Sequence, residues 1–241
     1  ISEALLKASG GYPLHIHYSL HNLSMQGIPI TTYEIGKLPT CPDGDIHTYY
    51  TKLWSNLSDT ARQVLLLIAS AEFPWPDKSS IGWCFENSLV FAEAYSKVQH
   101  LIEQRRSGVF PFHGSILVFL REREEFINAS KDLLYKIKNW IESAAPQYWQ
   151  WGWKWIVEAN LGNPTHLITG ITRDWMVQSF CDGYPPSHIE HIISTAERSA
   201  LSQGLYSELV KLRMLKTRLI NGPDFQVREY AQFVRCALSW S

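Results

Sequence analysis

The segment GVFPFHGSILVFLRE, residues 108 to 122, sets one histidine, His113, between a short aromatic stretch and an apolar helix that starts at about Gly114. Ser107-Gly108 reads as a turn between two short strands inside EQRRSGVFPF, because a glycine in a polar dipeptide between apolar runs is a hairpin signal. Everything upstream and downstream is placed by this hairpin-then-helix junction.

Working upstream, a helix is predicted over about Leu89 to Ile102, and before it ARQVLLLIASA (61–71) is apolar nearly all round, as a buried central helix should be. Ser58 is a suitable N-cap for that helix, Asp59 suits its positive end, and FPWPDK (73–78) ends it. Ile46, Tyr49, Tyr50, Leu53, Trp54 and Leu57 follow steps of three and four, which makes one face of a preceding helix apolar. Three helices followed by a hairpin is the order of a winged-helix domain, assigned to residues 46–123. From Met25 to Asp45 the pattern dissolves into Gly, Pro and Thr, and Pro29, Pro39 and Pro42 oppose regular structure, so residues 25–45 read as a linker. Before it, a helix from about Ser2 to Ser9 turns at Gly10-Gly11 into a second from Pro13 to about Leu23, a small hairpin over residues 1–24.

Working downstream, residues 124–241 read as helix after helix. Leu133, Leu134, Ile137, Trp140, Ile141 and Ala144 form one stripe, and Ile189, Ile192, Ile193 and Ala196 another. Glycines at 162, 183, 204 and 222 recur at intervals of 21, 21 and 18, and Pro164, Pro185, Pro186 and Pro223 stand behind three of them. Two helices per roughly 40 residues is the period of an antiparallel helical-repeat array. In YWQWGWKWIVEA the tryptophans at 149, 151, 153 and 155 alternate as in a strand; on a helix they make i,i+4 pairs, 149 with 153 and 151 with 155, and the flanking helices favour that choice. The expected fold is therefore mainly α with one small β-hairpin.

Composition narrows the function classes. The 241 residues carry 22 basic and 23 acidic side chains, which gives no net pull towards nucleic acid or an anionic membrane. Cys41, Cys84, Cys181 and Cys236 lie far apart without a CxxC pair, so no zinc site or disulfide framework is signalled and a reducing, cytoplasmic setting is expected. The longest apolar run, Val64 to Ala69, falls far short of the roughly 20 residues of a membrane helix. The opening ISEALLKASGG has no initiating methionine and begins inside an amphipathic helix, which predicts a piece of a longer polypeptide.

Two motifs combine with this order of elements. GGYPLHI (10–16) resembles the GLPL-type motif at the second helix of the small helical lid in STAND-class ATPases, the NACHT and NB-ARC proteins. FPFHGSILVFLRE resembles their MHD-type motif at the end of the winged helix. In that family a P-loop domain precedes the lid, and a helical or repeat arm follows the winged helix; the tail here looks like the tetratricopeptide-like arm of bacterial members.

The resemblance implies a role for each motif residue. Pro13 packs on the adenine of ADP or ATP, Gly10 and Gly11 permit close backbone approach, Tyr12 stands where leucine is common, and His113 donates a ring N–H to the β-phosphate. It also implies Mg2+ held by a P-loop domain outside this chain, a protein trigger sensed by the arm, homo-oligomerisation on activation, and service in bacterial antiphage defence. Gly114 replaces the aspartate usual after the histidine, so the cap which that aspartate would provide is expected to be missing. No GxxxxGK[ST] loop and no apolar strand ending in paired acids occurs, so the chain alone is expected to be catalytically inert.

Plainer readings stand beside these. A histidine at a strand-to-helix junction often serves as a structural cap, and the tryptophan cluster is the kind that packs helices together. His17 and His21 share a helix face without a carboxylate or cysteine partner, which argues against a metal. Two other functions remain: a winged-helix DNA-binding regulator, for which the third helix and Arg105-Arg106 would have to supply basic contacts, and a scaffold of helical repeats.

Overall fold

The computed structural model describes residues 1–38, 45–105 and 108–220. These form a mainly helical protein with one two-stranded antiparallel hairpin, divided between Trp140 and Ile141 into two compact units.

The first unit opens with α1 (Ser2–Ser9) and α2 (Pro13–Met25), joined by Gly10 and Gly11 at φ 57° and 79°. Both glycines sit in the left-handed region that side chains with a Cβ avoid. Proline opens α2 at a position whose N–H would have no helical partner. The expected linker contains a helix: α3 (Thr32–Gly36) is started by Thr31, whose hydroxyl accepts from the Glu34 N–H at 3.2 Å. Burial of Ile35 holds this short element in place, a tertiary contact that proline counting does not detect. Pro39, Cys41 and Pro42 lie outside the described residues.

α4 (Ile46–Asn56) buries Tyr49, Tyr50 and Trp54, and α5 (Asp59–Ser70) buries every residue from Val64 to Ser70. Ser58 caps α5 as its position predicts, accepting from the Ala61 N–H at 3.4 Å. After α5, Trp75 bridges Val109 and Asp77 caps a further short helix, α6 (Lys78–Gly82), so four helices rather than three stand between residue 45 and the hairpin. α7 (Ser88–Val98) is shorter than expected: Gln99–Leu101 tighten into a 3-10 turn and Ile102 already belongs to β1 (Ile102–Arg105). β1 pairs with β2 (Gly108–Pro111), Ile102 opposite Pro111 and Arg105 opposite Gly108, so the expected hairpin is present, with Gly108 in its second strand rather than in the turn; Arg106 and Ser107 lie outside the described residues. α8 (Gly114–Arg121) follows His113 and buries Ile116, Phe119 and Leu120.

α9 (Glu124–Ser143) crosses the division between the units. Its predicted stripe holds at Leu133, Ile137, Trp140 and Ile141, all buried, while Ala144 lies just beyond the helix and is exposed.

In the second unit α10 (Gln147–Gln150) and α11 (Gly152–Asn160) meet at Trp151, which has φ −65° and ψ −134°. Trp149, Trp153 and Trp155 are helical as expected, whereas Trp151 stands at the break between the two helices. Trp151 instead lies parallel to Tyr184 at 3.8 Å and to Trp175 at 4.9 Å, and Trp153 meets His188 and His191. α12 (Thr165–Gly170), α13 (Arg173–Cys181), α14 (Pro186–Ser202) and α15 (Tyr206–Ile220) complete this unit. Gly162, Gly183 and Gly204 each take a positive φ just past a helix end, the left-handed stop that favours glycine. Gly222, Pro223 and Cys236 lie outside the described residues. Among the described residues no helix is long and apolar enough to cross a membrane.

Candidate functional site

The four residues singled out by motif lie at two helix starts of the first unit. Gly11 is exposed and its N–H donates to Ser9 Oγ at 3.1 Å; Tyr12 is half-buried and extended; Pro13 is exposed at the first position of α2. His113 is exposed and extended at φ −141°, immediately before α8. No hydrogen bond or ring contact joins His113 directly to residues 10–13 among the described residues.

His113 does the capping that Gly114 was expected to forfeit. Its Nδ1 lies 3.2 Å from the Ser115 backbone N and 2.8 Å from Ser115 Oγ, so the imidazole acts as an N-cap in place of an aspartate. The residue as a whole remains exposed.

The ring is tied to α2 through the interior. Ser115 Oγ lies 2.8 Å from the Tyr50 hydroxyl, and Tyr50 donates to the Tyr18 hydroxyl at 3.3 Å. Tyr18 and Tyr50 are both buried, and burial pushes the Tyr18 phenol far above its usual range, with Tyr50 adding to the shift. Nδ1 accepts from the Ser115 N–H, and Ser115 Oγ and the Tyr50 hydroxyl link this capped helix start to Tyr18 on α2. A hydrogen-bond chain thus runs from the exposed imidazole to α2.

A second tie lies beside the first. The His17 ring stacks on Phe112 at 3.9 Å and 11°, and on His21 at 5.8 Å. His15, 1% exposed, meets Tyr49 edge-on at 4.6 Å, and the buried His100 meets Tyr18 edge-on at 6.5 Å. Burial, then the charge of His21, holds His17 below the ordinary imidazole value; the same two causes push His100 down to about 4. Neutral His17 and His100 rings fit this aromatic setting, whereas a cation at either would lose hydration in it.

Sequence reading found the two helix starts but not the residues that join them. Tyr18, Tyr50 and His100 carried no motif, and Ser115 lay inside the MHD-like segment without a role; the periodicity of α4 marked Tyr50 only as core. His17 and His21 are neighbours, as their spacing predicts, and among the described residues no group of three or more His, Cys, Asp or Glu side chains is arranged to hold a metal.

No family model matches the chain, and comparison with curated proteins and with solved structures finds no match either.

Proposed function

We propose that the chain is the regulatory portion of a STAND-class signalling ATPase, in which residues 1–24 serve as helical lid, residues 46–123 as a winged helix and the later helices as a tetratricopeptide-like sensor arm. The order helix, isolated bridge at Trp75, short helix, helix, hairpin fits a winged helix. The observation that carries the reading is the chain from His113 through Ser115 and Tyr50 to Tyr18, because it couples an exposed imidazole at a helix N-terminus to the helix that Pro13 begins.

In this reading Pro13, Gly11 and Tyr12 meet the base of ADP or ATP, and His113 Nε2 meets a phosphate. A P-loop domain outside these residues supplies the Mg2+ site and any hydrolysis. An anion beside the ring is attracted by the positive end of the α8 N-terminus and accepts from an imidazole protonated at Nε2, which leaves Nδ1 to accept from the Ser115 N–H. Ser115 Oγ also bonds Tyr50, and Tyr50 bonds Tyr18, so the phosphate contact is tied to α2.

Magnitude limits what His113 does alone. A hydrogen bond to a charged group contributes about 1.5 to 3 kcal/mol, whereas moving a switch from 1:99 to 99:1 takes about 5.5 kcal/mol. The tyrosine and histidine contacts of α2 share the closed-state energy with it. The arm would sense a protein trigger, and opening would expose surfaces for homo-oligomerisation.

The test is nucleotide retention. In the polypeptide that joins this chain to its P-loop domain, His113→Ala is expected to speed ADP release about tenfold or more, as loss of a bond of that size requires. The 241-residue chain alone is expected to give no micromolar ADP binding by calorimetry. Unchanged ADP release in His113→Ala, or micromolar binding by the chain alone, overturns the shared-site reading.

A further inference from the structure

Residues 1–38 hold together differently from the way they hold to the rest of the first unit. Among themselves, α1, α2 and α3 share a small apolar cluster of Ala8, Leu23 and Ile35, with Ala4, Leu5, Ile28 and Leu38 packed against it. Towards α4, the 3-10 turn and Phe112, α2 presents His15, His17, Tyr18 and His21 instead. At 100° per residue these four fall on one side of the helix and Leu23 on another. One helix thus carries an apolar inner contact and a histidine-and-tyrosine outer seam.

Few charges face that seam. PLHIHYSLHNLSM, the whole of α2, contains no Asp, Glu, Lys or Arg. α4 contributes Tyr49 and Tyr50, with the exposed His47 turned to Phe119 and Glu122. The 3-10 turn contributes His100, whose ring nitrogens reach no partner of good hydrogen-bond geometry, the Lys97 backbone being only a polar neighbour. From β1 comes Glu103, the one carboxylate felt by His17, and it is already bound to Arg105 at 2.6 Å. Beyond β2, Phe112 stacks on His17 and Ser115 bonds Tyr50. On the inner side, α1 offers exposed Glu3 and Lys7 and α3 the Glu34–Lys37 pair, while Lys97 of α7 is bound to Glu93.

We propose that this seam is an acid-sensitive joint: protonation of His17 and His100, each beside His21, releases residues 1–38 as a unit from the body formed by residues 45–121. A charge on His100 has no carboxylate to meet and is buried among rings, and a charge on His17 meets only a carboxylate already engaged. Release lets both imidazolium groups hydrate and ends the Tyr50–Tyr18 hydrogen bond. The apolar cluster of α1 to α3 does not titrate, so the break falls at the seam rather than inside the three helices. The joint operates whether or not a nucleotide binds beside His113.

The sign follows from linkage. Both groups titrate lower when docked than their free value of 6.5, so the released state binds more protons and docking is strongest above pH 6.5. It weakens as pH falls towards about 4, the docked value for His100. For His100 alone, the released-to-docked ratio rises on the order of 30-fold between pH 8 and pH 5.

Hydrogen exchange of the full chain at pH 7.5 and pH 5.0, corrected for the intrinsic exchange rate, reads this directly. Peptides of α1 to α3 are expected to lose protection at least about tenfold at pH 5.0, while α5 keeps its protection. His17→Phe with His100→Leu is expected to keep α1 to α3 protected at pH 5.0. Should the double variant fail to fold, His17→Phe alone, at the half-buried stack with Phe112, is expected to shift the loss to lower pH. Equal protection at the two pH values overturns the proposal, as does loss from α5 in step with α2. So does a folded variant that opens at the same pH as the natural sequence.

Discussion

Tyr50 on α4 donates a hydrogen bond to Tyr18 on α2 across 3.3 Å, and both rings are buried. Tyr50 also bonds Ser115, so its one hydroxyl serves two partners on different elements. Tyr50→Phe removes both bonds and leaves the Tyr18 hydroxyl in the interior without this partner. A cost of about 1 to 3 kcal/mol is expected from an unsatisfied buried hydroxyl. Urea unfolding checks it. In the double variant with Tyr18→Phe the two changes should cost less than their sum, because the second removes the group stranded by the first.

How much of this was legible in the sequence depended on range. The start of α2 at Pro13, the cap at Ser58 and the hairpin about Gly108 are written within a few residues, and local signals located them. α3 and the break at Trp151 escaped, because each is decided by what a side chain finds elsewhere: Ile35 in the α1–α2 cluster, Trp151 between Tyr184 and Trp175. The same holds for the site. His113 was marked by its junction, but its partners lie at separations of 65 residues between Tyr50 and Ser115 and 32 between Tyr18 and Tyr50. No periodicity reports a contact of that kind.

Trp151 is held on both faces, 4° from parallel with Tyr184 and 9° with Trp175. Trp151 is half-buried, and Trp151→Ala, which removes a large ring stacked on two others, is expected to cost about 2 kcal/mol. The near-ultraviolet circular dichroism of the stacked rings should fall at the same time. A loss below about 1 kcal/mol would show that the rings rearrange freely, against the close packing seen around them.

Two glycines near His113 should respond in opposite ways. Gly108 has φ +125°, and a Cβ there would lie 2.4 Å from the Trp75 carbonyl oxygen, backbone that cannot swing aside. Gly108→Ala is expected to destabilise by about 2 kcal/mol or more. Gly114, in the first turn of α8, has open space around its Cβ position. Gly114→Asp places a carboxylate in the first turn of α8 and should stabilise by about 0.3 to 1 kcal/mol at the helix N-terminus. Thermal melts of the two variants distinguish these outcomes.

Cys84 tests burial through chemistry. Burial pushes its thiol up to about 12, with Lys136 opposing weakly. At pH 8 the group is therefore protonated in the native protein and a poor nucleophile. Alkylation followed by peptide mapping should find Cys84 unmodified under native conditions and modified in urea. Raising the pH from 7 to 9 should leave it protected, because both values lie well below its titration.

The outward face of α7 bears on the rival reading as a DNA-binding regulator. A recognition helix needs cations free to meet phosphates. On α7 the exposed positions include Leu89 at 80% and Val90 at 47%, and Lys97 is bound to Glu93 at 2.8 Å. On β1, Arg105 is bound to Glu103. Each cation sits beside an anion of its own element, so few counterions would be released on contact with a duplex. Gel shifts with duplex DNA at 50 mM salt should accordingly show no retained complex at micromolar protein, and Glu93→Gln should not create one. A complex that weakens steeply between 50 and 200 mM salt would instead show that the helix frees its cations on contact, and would favour the regulator over the nucleotide switch.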